Sequence, residues 1–143
     1  MKITHIASCA LFAISCTTFA GEPLSAKDAH QLALQTQKYL PLAEKKYKEV
    51  IETRSLPDAR KLLKDTRELM GKWVEGVGEE TINYNGCSRA LVDLQNMIQY
   101  TIDGKRTDAE MAVFKDDVRT FYENMERCDR GIVYSEEKAK DKR

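Results

Sequence analysis

Apolar residues recur at steps of three and four along most of the chain, and this spacing predicts helices. No segment alternates between apolar and polar residues in the way that a half-buried strand does. Proline and glycine are scarce after residue 24, and they divide the pattern into long segments. The sequence therefore predicts an all-α domain built from four helices.

The start and end signals of these helices can be read from single residues. Ser25, Ser55 and Thr107 are placed to cap the first, second and fourth helices, because their hydroxyls can accept hydrogen bonds from free backbone amides. Gly76 and Gly78 end the second helix, and Gly104 ends the third. We expect short connections between all four helices.

Two points of the helical pattern stay open. Pro41 lies inside the first helix, where proline removes an amide donor, so it either kinks that helix or breaks it. Residues 79–86 are either helix or loop. The apolar stripes that we expect to be buried reach Ile51 in the first helix and Val77 in the second, and they include Tyr122 in the fourth.

Short connections require neighbouring helices to run in opposite directions. The turn between the third and fourth helices lies near residue 105, with Cys87 about 18 residues before it and Cys128 about 22 residues after it. An antiparallel pair brings two such positions within roughly one helical turn of each other. The sequence therefore predicts an up-down-up-down antiparallel four-helix bundle with one disulfide, Cys87–Cys128, at the end far from Gly104.

The N-terminus has the pattern of a bacterial secretory signal peptide. Lys2 is followed by an uncharged apolar stretch over residues 6–19, and Ala20 supplies the small residue before a cleavage point. The stretch is too short for a spanning helix, which takes roughly 20 apolar residues. We expect cleavage of residues 1–20 and a periplasmic product; a retained anchor, or a lipoprotein acylated at Cys9 or Cys16, is the alternative.

Cleavage leaves a helical bundle domain over residues 21–131 and a charged C-terminal tail over 132–143. The mature part carries 22 Lys and Arg residues (23 minus Lys2) and 23 Asp and Glu residues, so it lacks the basic surface that nucleic-acid binding requires. The remaining cysteines, Cys87 and Cys128, are expected to form a disulfide in an oxidising compartment. Their spacing fits neither a zinc site nor a CxxC redox motif.

His30, the one histidine left after cleavage, is the strongest cofactor candidate. In an up-down bundle the first helix begins where the fourth ends, so His30 and Met125 could face each other as axial haem ligands. This pair resembles that of the periplasmic haem-b four-helix cytochromes, although that family places its Met on the first helix and its His on the last. The resemblance implies the alternative function, a haem- or small-ligand-binding bundle.

Val92, Asn96 and Tyr100 share one side of the third helix, away from its apolar stripe, and are the candidate partner-binding residues. No catalytic motif, metal-ligand cluster or phosphate-binding loop is present, so we expect a non-enzymatic protein without a cofactor. The best function class is binding to another envelope or secreted protein, as an immunity protein, an inhibitor or a chaperone-like protein. The paired LTxxQ motifs of the Spy-type chaperones are missing, and a homodimer is possible in principle.

Overall fold

The structure is a computed structural model that describes residues 22–104 and 107–141. Within these ranges the chain forms four α-helices and one 3₁₀ helix, and no strand. Their bounds are Ala26–Thr53 (α1), Leu56–Glu75 (α2), Glu79–Tyr84 (the 3₁₀ helix), Asn85–Asp103 (α3) and Asp108–Lys140 (α4). The predicted all-α class and the four helices are confirmed, while the predicted signal peptide lies outside the described residues.

The helices begin at the predicted capping residues. The hydroxyls of Ser25 and Ser55 accept hydrogen bonds from the amides three residues ahead, at 3.2 and 3.4 Å. At α4 the Thr107 hydroxyl accepts from the Glu110 amide at 3.3 Å, and the Glu110 carboxylate accepts from the Thr107 amide at 2.7 Å. This reciprocal pair satisfies two amides that the first helical turn leaves free.

The structure answers both questions that the pattern left open. α1 is one helix that continues through Pro41, and residues 79–84 form a 3₁₀ helix that leads directly into α3. The expected burial of Val77 is wrong, because α2 ends at Glu75 and the residue falls outside the helical phase. Ile51 and Tyr122 are exposed as well.

α4 extends beyond the expected boundary at residue 131. It remains helical to Lys140, so most of the segment that we expected to be a tail belongs to the last helix. The physical reason is Ile132, whose side chain is only 3% exposed and packs into the core. Lys138 and Lys140 lie in the last turn, where positive charge is favourable beside the free carbonyl groups.

The contacts between helices follow a regular order along the chain. From the start of α3 onward, α3 and α4 are joined by the Cys87–Cys128 disulfide, the Asp93–Asn124 hydrogen bond and the Tyr100–Phe114 ring contact. Later positions on α3 thus meet earlier positions on α4. α1 and α2 show the same inverse order in the pairs Thr36–Trp73 and Tyr39–Thr66.

The predicted disulfide is present, and the two helices that it joins approach each other closely. The Cα atoms of Cys87 and Cys128 are 4.5 Å apart. Gly86 permits this approach, because a Cβ atom there would lie 2.5 Å from the amide nitrogen of Cys128. Gly131 does the same one turn farther on, where a Cβ atom would collide with the carbonyl oxygen of Asn83. Small residues on both helices therefore accommodate the bridge.

The centre of the bundle is apolar. Its largest fully buried side chains include those of Leu40, Leu91, Leu94, Ile98 and Phe121, which come from three of the four helices. None of the helices in the described part of the chain is long and apolar enough to cross a membrane.

Candidate partner-binding groove

A groove with a volume of about 380 Å³ lies between the end of α2, the 3₁₀ helix and α3. We call it the α2–α3 groove. The residues that give it its apolar character are Met70, Trp73, Val74, Val77, Ile82 and Val92. It lies at the end of α3 that carries the disulfide.

Four branched apolar side chains of this groove are open to solvent. Val74 is 67% exposed, Val77 69%, Ile82 67% and Val92 42%. Single exposed apolar residues are normal on protein surfaces, whereas several in one concave patch are typical of an interaction site. The α2–α3 groove is therefore the strongest candidate binding surface in the described part of the chain.

The floor of the groove is held in place from inside the bundle. Trp73 is buried, and its indole N–H donates to the hydroxyl of Thr36 at 3.0 Å. At the α2 end, the Thr81 hydroxyl donates to the carbonyl of Gly78 at 2.7 Å and accepts from the Gly78 amide at 3.1 Å. The hydrogen-bonding groups of Trp73 and Thr81 are thus used within the fold, so these residues offer a partner mainly apolar surface.

One rim of the groove is acidic. Residues three apart eclipse each other on a 3₁₀ helix, so Glu79 and Ile82 lie on the same face, in line with Asn85 of the groove wall. Glu79 and Glu80 are exposed and form no ion pair with another described residue. A partner that carries Lys or Arg beside its apolar residues would complement this rim.

The structure separates the three residues that the sequence singled out for partner binding. Val92 lines the groove, but Asn96 hydrogen-bonds the Asp117 carboxylate, and the ring of Tyr100 packs edge-on against Phe114 with centroids 5.9 Å apart. The latter two therefore face α4, not α2. Sequence reasoning missed Val74 and Val77 as exposed groove residues, although it placed Val92 away from the buried stripe of the third helix.

A polar layer lies between α3 and α4. Asn124 is buried and donates to the carboxylate of Asp93 at 2.8 Å. Burial raises the pKa of Asp93 above its ordinary value, the Asn124 and Thr120 hydrogen bonds oppose this shift, and the nearby Asp117 carboxylate adds to it. Burial also raises the pKa of Asp117. We therefore expect both carboxyl groups of this layer to be protonated at a higher pH than exposed aspartates are.

His30 and Met125 are not brought to one site. The His30 ring nitrogen Nδ1 lies 3.1 Å from the hydroxyl of Tyr84, and Nε2 lies 3.7 Å from the Glu136 carboxylate. Met125 precedes Glu136 by 11 residues on α4, which is about 16 Å along a helix axis. His30 therefore links α1 to the 3₁₀ helix and α4, at a distance from the methionine expected to share a haem with it.

Neither the described side chains nor the comparison with known proteins identifies a ligand for this groove. Within residues 22–104 and 107–141, no three His, Cys, Asp or Glu side chains are grouped so that they could hold a metal ion. Comparison with models of known protein families, with curated proteins and with solved structures finds no match to this chain. The geometry of the α2–α3 groove is therefore the basis on which a function can be inferred.

Proposed function

We propose that the chain is an exported, non-enzymatic binding protein whose α2–α3 groove takes up an apolar segment of another envelope or secreted protein. The observation that carries this proposal is the exposure of Val74, Val77 and Ile82 together in one groove. Full burial of one such side chain contributes roughly 1.5–3 kcal/mol. The groove thus offers the apolar centre of an interface, with polar residues such as Asn85 and Ser88 at its edge.

The occupant that fits best is an amphipathic helix with a basic residue at one end. A groove between helices suits the apolar face of such a helix, which lays side chains spaced three and four residues apart into it. Glu79 at the rim would face the basic residue, and such pairing favours the correct orientation and fast association more than it adds affinity.

Export and topology belong to the same proposal. The charged, apolar and small residues at positions 1–20 favour export, and the Cys87–Cys128 disulfide fits an oxidising compartment such as the periplasm. The inverse order of contacts between α1 and α2, and between α3 and α4, supports an up-down-up-down bundle. The mass of the exported protein tests the cleavage directly, since removal of residues 1–20 leaves a chain that begins at Gly21.

Site-specific photocrosslinking in the native host tests the groove. A benzophenone amino acid replaces Val77 in the groove or, as the matched control, the exposed Val133 on α4. We expect one discrete adduct from position 77 and none of that mass from position 133. The partner recovered from the adduct, purified separately, should bind Val77→Asp at least tenfold more weakly than Val133→Asp. Equal adducts from both positions would refute the assignment.

The same experiment distinguishes the other occupants. An adduct with twice the mass of the mature chain would show that the groove joins two copies of this protein instead of binding a different one. Glu79→Lys should lower the yield of a true partner adduct, because it reverses the charge of the rim. An adduct that is insensitive to this change would show that the partner is not basic.

A further inference from the structure

A second apolar groove lies at the other end of the bundle, and its volume is about 370 Å³. We call it the distal groove. Its walls come from the end of α1 (Val50 and Ile51), the start of α2 (Leu56 and Ala59) and Phe114 of α4. This volume lies within the range of roughly 300–1,000 Å³ that is typical of small-molecule sites.

The walls of the distal groove leave few polar atoms for a ligand to satisfy. The Tyr47 hydroxyl donates to the carbonyl of Met97 at 3.2 Å and lies 3.0 Å from the Thr101 hydroxyl. These wall hydroxyls are therefore engaged within the protein. Ile51 and Leu56 remain 47% and 45% exposed at the mouth. An aliphatic chain would fit such a surface better than a polar ligand would.

Among the described residues that line this groove, one is a cation, Arg54. Arg54 lines it, is exposed and forms no ion pair with another described residue. Its backbone has a φ of 54°, the left-handed conformation that residues other than glycine rarely adopt, and it ends α1 immediately before the cap of α2. The guanidinium group is thus attached at the junction of the two helices that form the apolar walls. Arginine binds a carboxylate through two parallel hydrogen bonds.

We propose that the distal groove binds a free single-chain fatty carboxylate, whose aliphatic chain packs between Ile51, Leu56 and Phe114 while its head group pairs with Arg54. Apolar walls with the Arg54 guanidinium at the edge complement this class of amphiphile in both shape and charge. Each methylene that enters the groove contributes about a fourfold gain in affinity. Neither the site nor its ligand depends on the α2–α3 groove.

Calorimetric titration of the mature protein with decanoate, below its micellar concentration, tests this site. We expect saturable one-to-one binding, affinity that rises about fourfold per methylene from octanoate to decanoate, and weaker binding of the matched decanol and decyltrimethylammonium. Arg54→Gln should lower the affinity for decanoate at least fivefold and leave the affinity for decanol unchanged. Ile51→Gln should lower the affinity for both ligands, whereas Val77→Gln in the α2–α3 groove should change neither affinity.

Several results would overturn the assignment. Absence of saturable binding at millimolar decanoate would do so, as would equal affinity for the anionic and cationic amphiphiles, which indicates unspecific apolar adsorption. Binding to phosphatidylglycerol vesicles without binding to decanoate would assign the surface to a membrane instead. Circular dichroism of Arg54→Gln and Ile51→Gln distinguishes a loss of binding from a loss of folding. Both positions are exposed, so neither change should alter the helix content.

Discussion

Trp73 of α2 donates its indole N–H to the hydroxyl of Thr36 on α1 at 3.0 Å, and that hydroxyl donates in turn to the carbonyl of Leu32 at 2.8 Å. The arrangement recurs with the helices exchanged, since the hydroxyl of Tyr39 on α1 lies 2.8 Å from the hydroxyl of Thr66 on α2. The hydroxyl of each threonine thus forms a hydrogen bond with an aromatic side chain of the opposite helix. The two pairs fix the register of α1 against α2 and place Trp73 under the α2–α3 groove.

Replacement of Thr36 with valine should destabilise the fold, because the shape is kept while the buried indole N–H loses its acceptor. We expect the free energy of unfolding in urea to fall by about 1–3 kcal/mol, the cost of an unsatisfied buried donor. Thr53→Val is the matched control on the same helix: its hydroxyl also bonds a carbonyl four residues back, at 2.8 Å, but it is exposed and receives no aromatic donor. Equal losses in both variants would show that the Trp73 bond contributes nothing.

Gly131→Ala should also be destabilising, although alanine favours a helix by about 1 kcal/mol relative to glycine. The added Cβ atom would collide with the carbonyl oxygen of Asn83. Because this oxygen belongs to the backbone, it cannot move aside as the end of a flexible side chain could. We expect a net loss of roughly 1–3 kcal/mol, as in other overpacked sites. The matched change Gly71→Ala meets no atom within 4 Å and should be neutral or stabilising. Unfolding curves that rank the variants in the opposite order would contradict this packing.

Removal of the disulfide should lower stability by up to about 4 kcal/mol in the chain-entropy model, because the Cys87–Cys128 bridge spans 41 residues. The variant with alanine at both positions should remain helical but unfold at a lower urea concentration than the oxidised protein. Reduction of the wild-type protein should have a similar effect. Intact mass measurement after alkylation without a reductant checks the starting point, since two alkylated thiols would mean that the bridge is not formed.

The Asp93 carboxylate should make stability depend on pH. Burial raises its pKa in the folded state, so the folded protein holds this proton more tightly than the unfolded chain does. Stability therefore falls as the pH rises from the unfolded to the folded pKa, and it stays lower above that window. Asp117 contributes in the same direction, while Arg89 opposes the shift.

Asp93→Asn removes the part of this pH dependence that comes from Asp93, and it should raise the melting temperature at pH 7 relative to the wild-type protein. The amide retains an oxygen that can accept the hydrogen bond from Asn124. The difference between the two proteins should vanish at a pH below the ordinary aspartate pKa, where the wild-type carboxyl is neutral in both states. Asp129→Asn on the exposed side of α4 serves as a control and should not show this pattern. A variant that is less stable at pH 7 would refute the sign.

The sequence carried enough information for the helices and the disulfide. The Thr107 cap and the Gly104 stop are local signals, and each marks a helix end without knowledge of the tertiary structure. The disulfide could be predicted because short connections imply antiparallel neighbours, which bring the two cysteines together. Burial near helix ends was harder to predict. Val77 continues the apolar spacing of α2 but follows its last residue, and Ile132 lies beyond a glycine that would usually end a helix.

The binding surface could be predicted only in part, because a periodic stripe says which residues of a helix are buried but not which neighbour lies on either side. Val92, Asn96 and Tyr100 follow one another at steps of four, and each step turns about 40° around the axis. Val92 therefore faces α2, whereas Tyr100 faces α4. Which of these sides is open depends on the packing of the whole bundle, which no local pattern records.

Both described ends of the chain emerge at the same pole of the molecule. The Leu24 amide donates to the Gly76 carbonyl at 3.3 Å, and His30 lies 3.7 Å from Glu136 near the end of α4. A bead, tag or surface joined to either terminus would therefore crowd the α2–α3 groove and leave the Arg54 pole pointing outward. Attachment at a terminus would hinder binding at the α2–α3 groove but not at the distal groove. Immobilised protein should therefore lose affinity for ligands of the first groove and keep its affinity for ligands of the second.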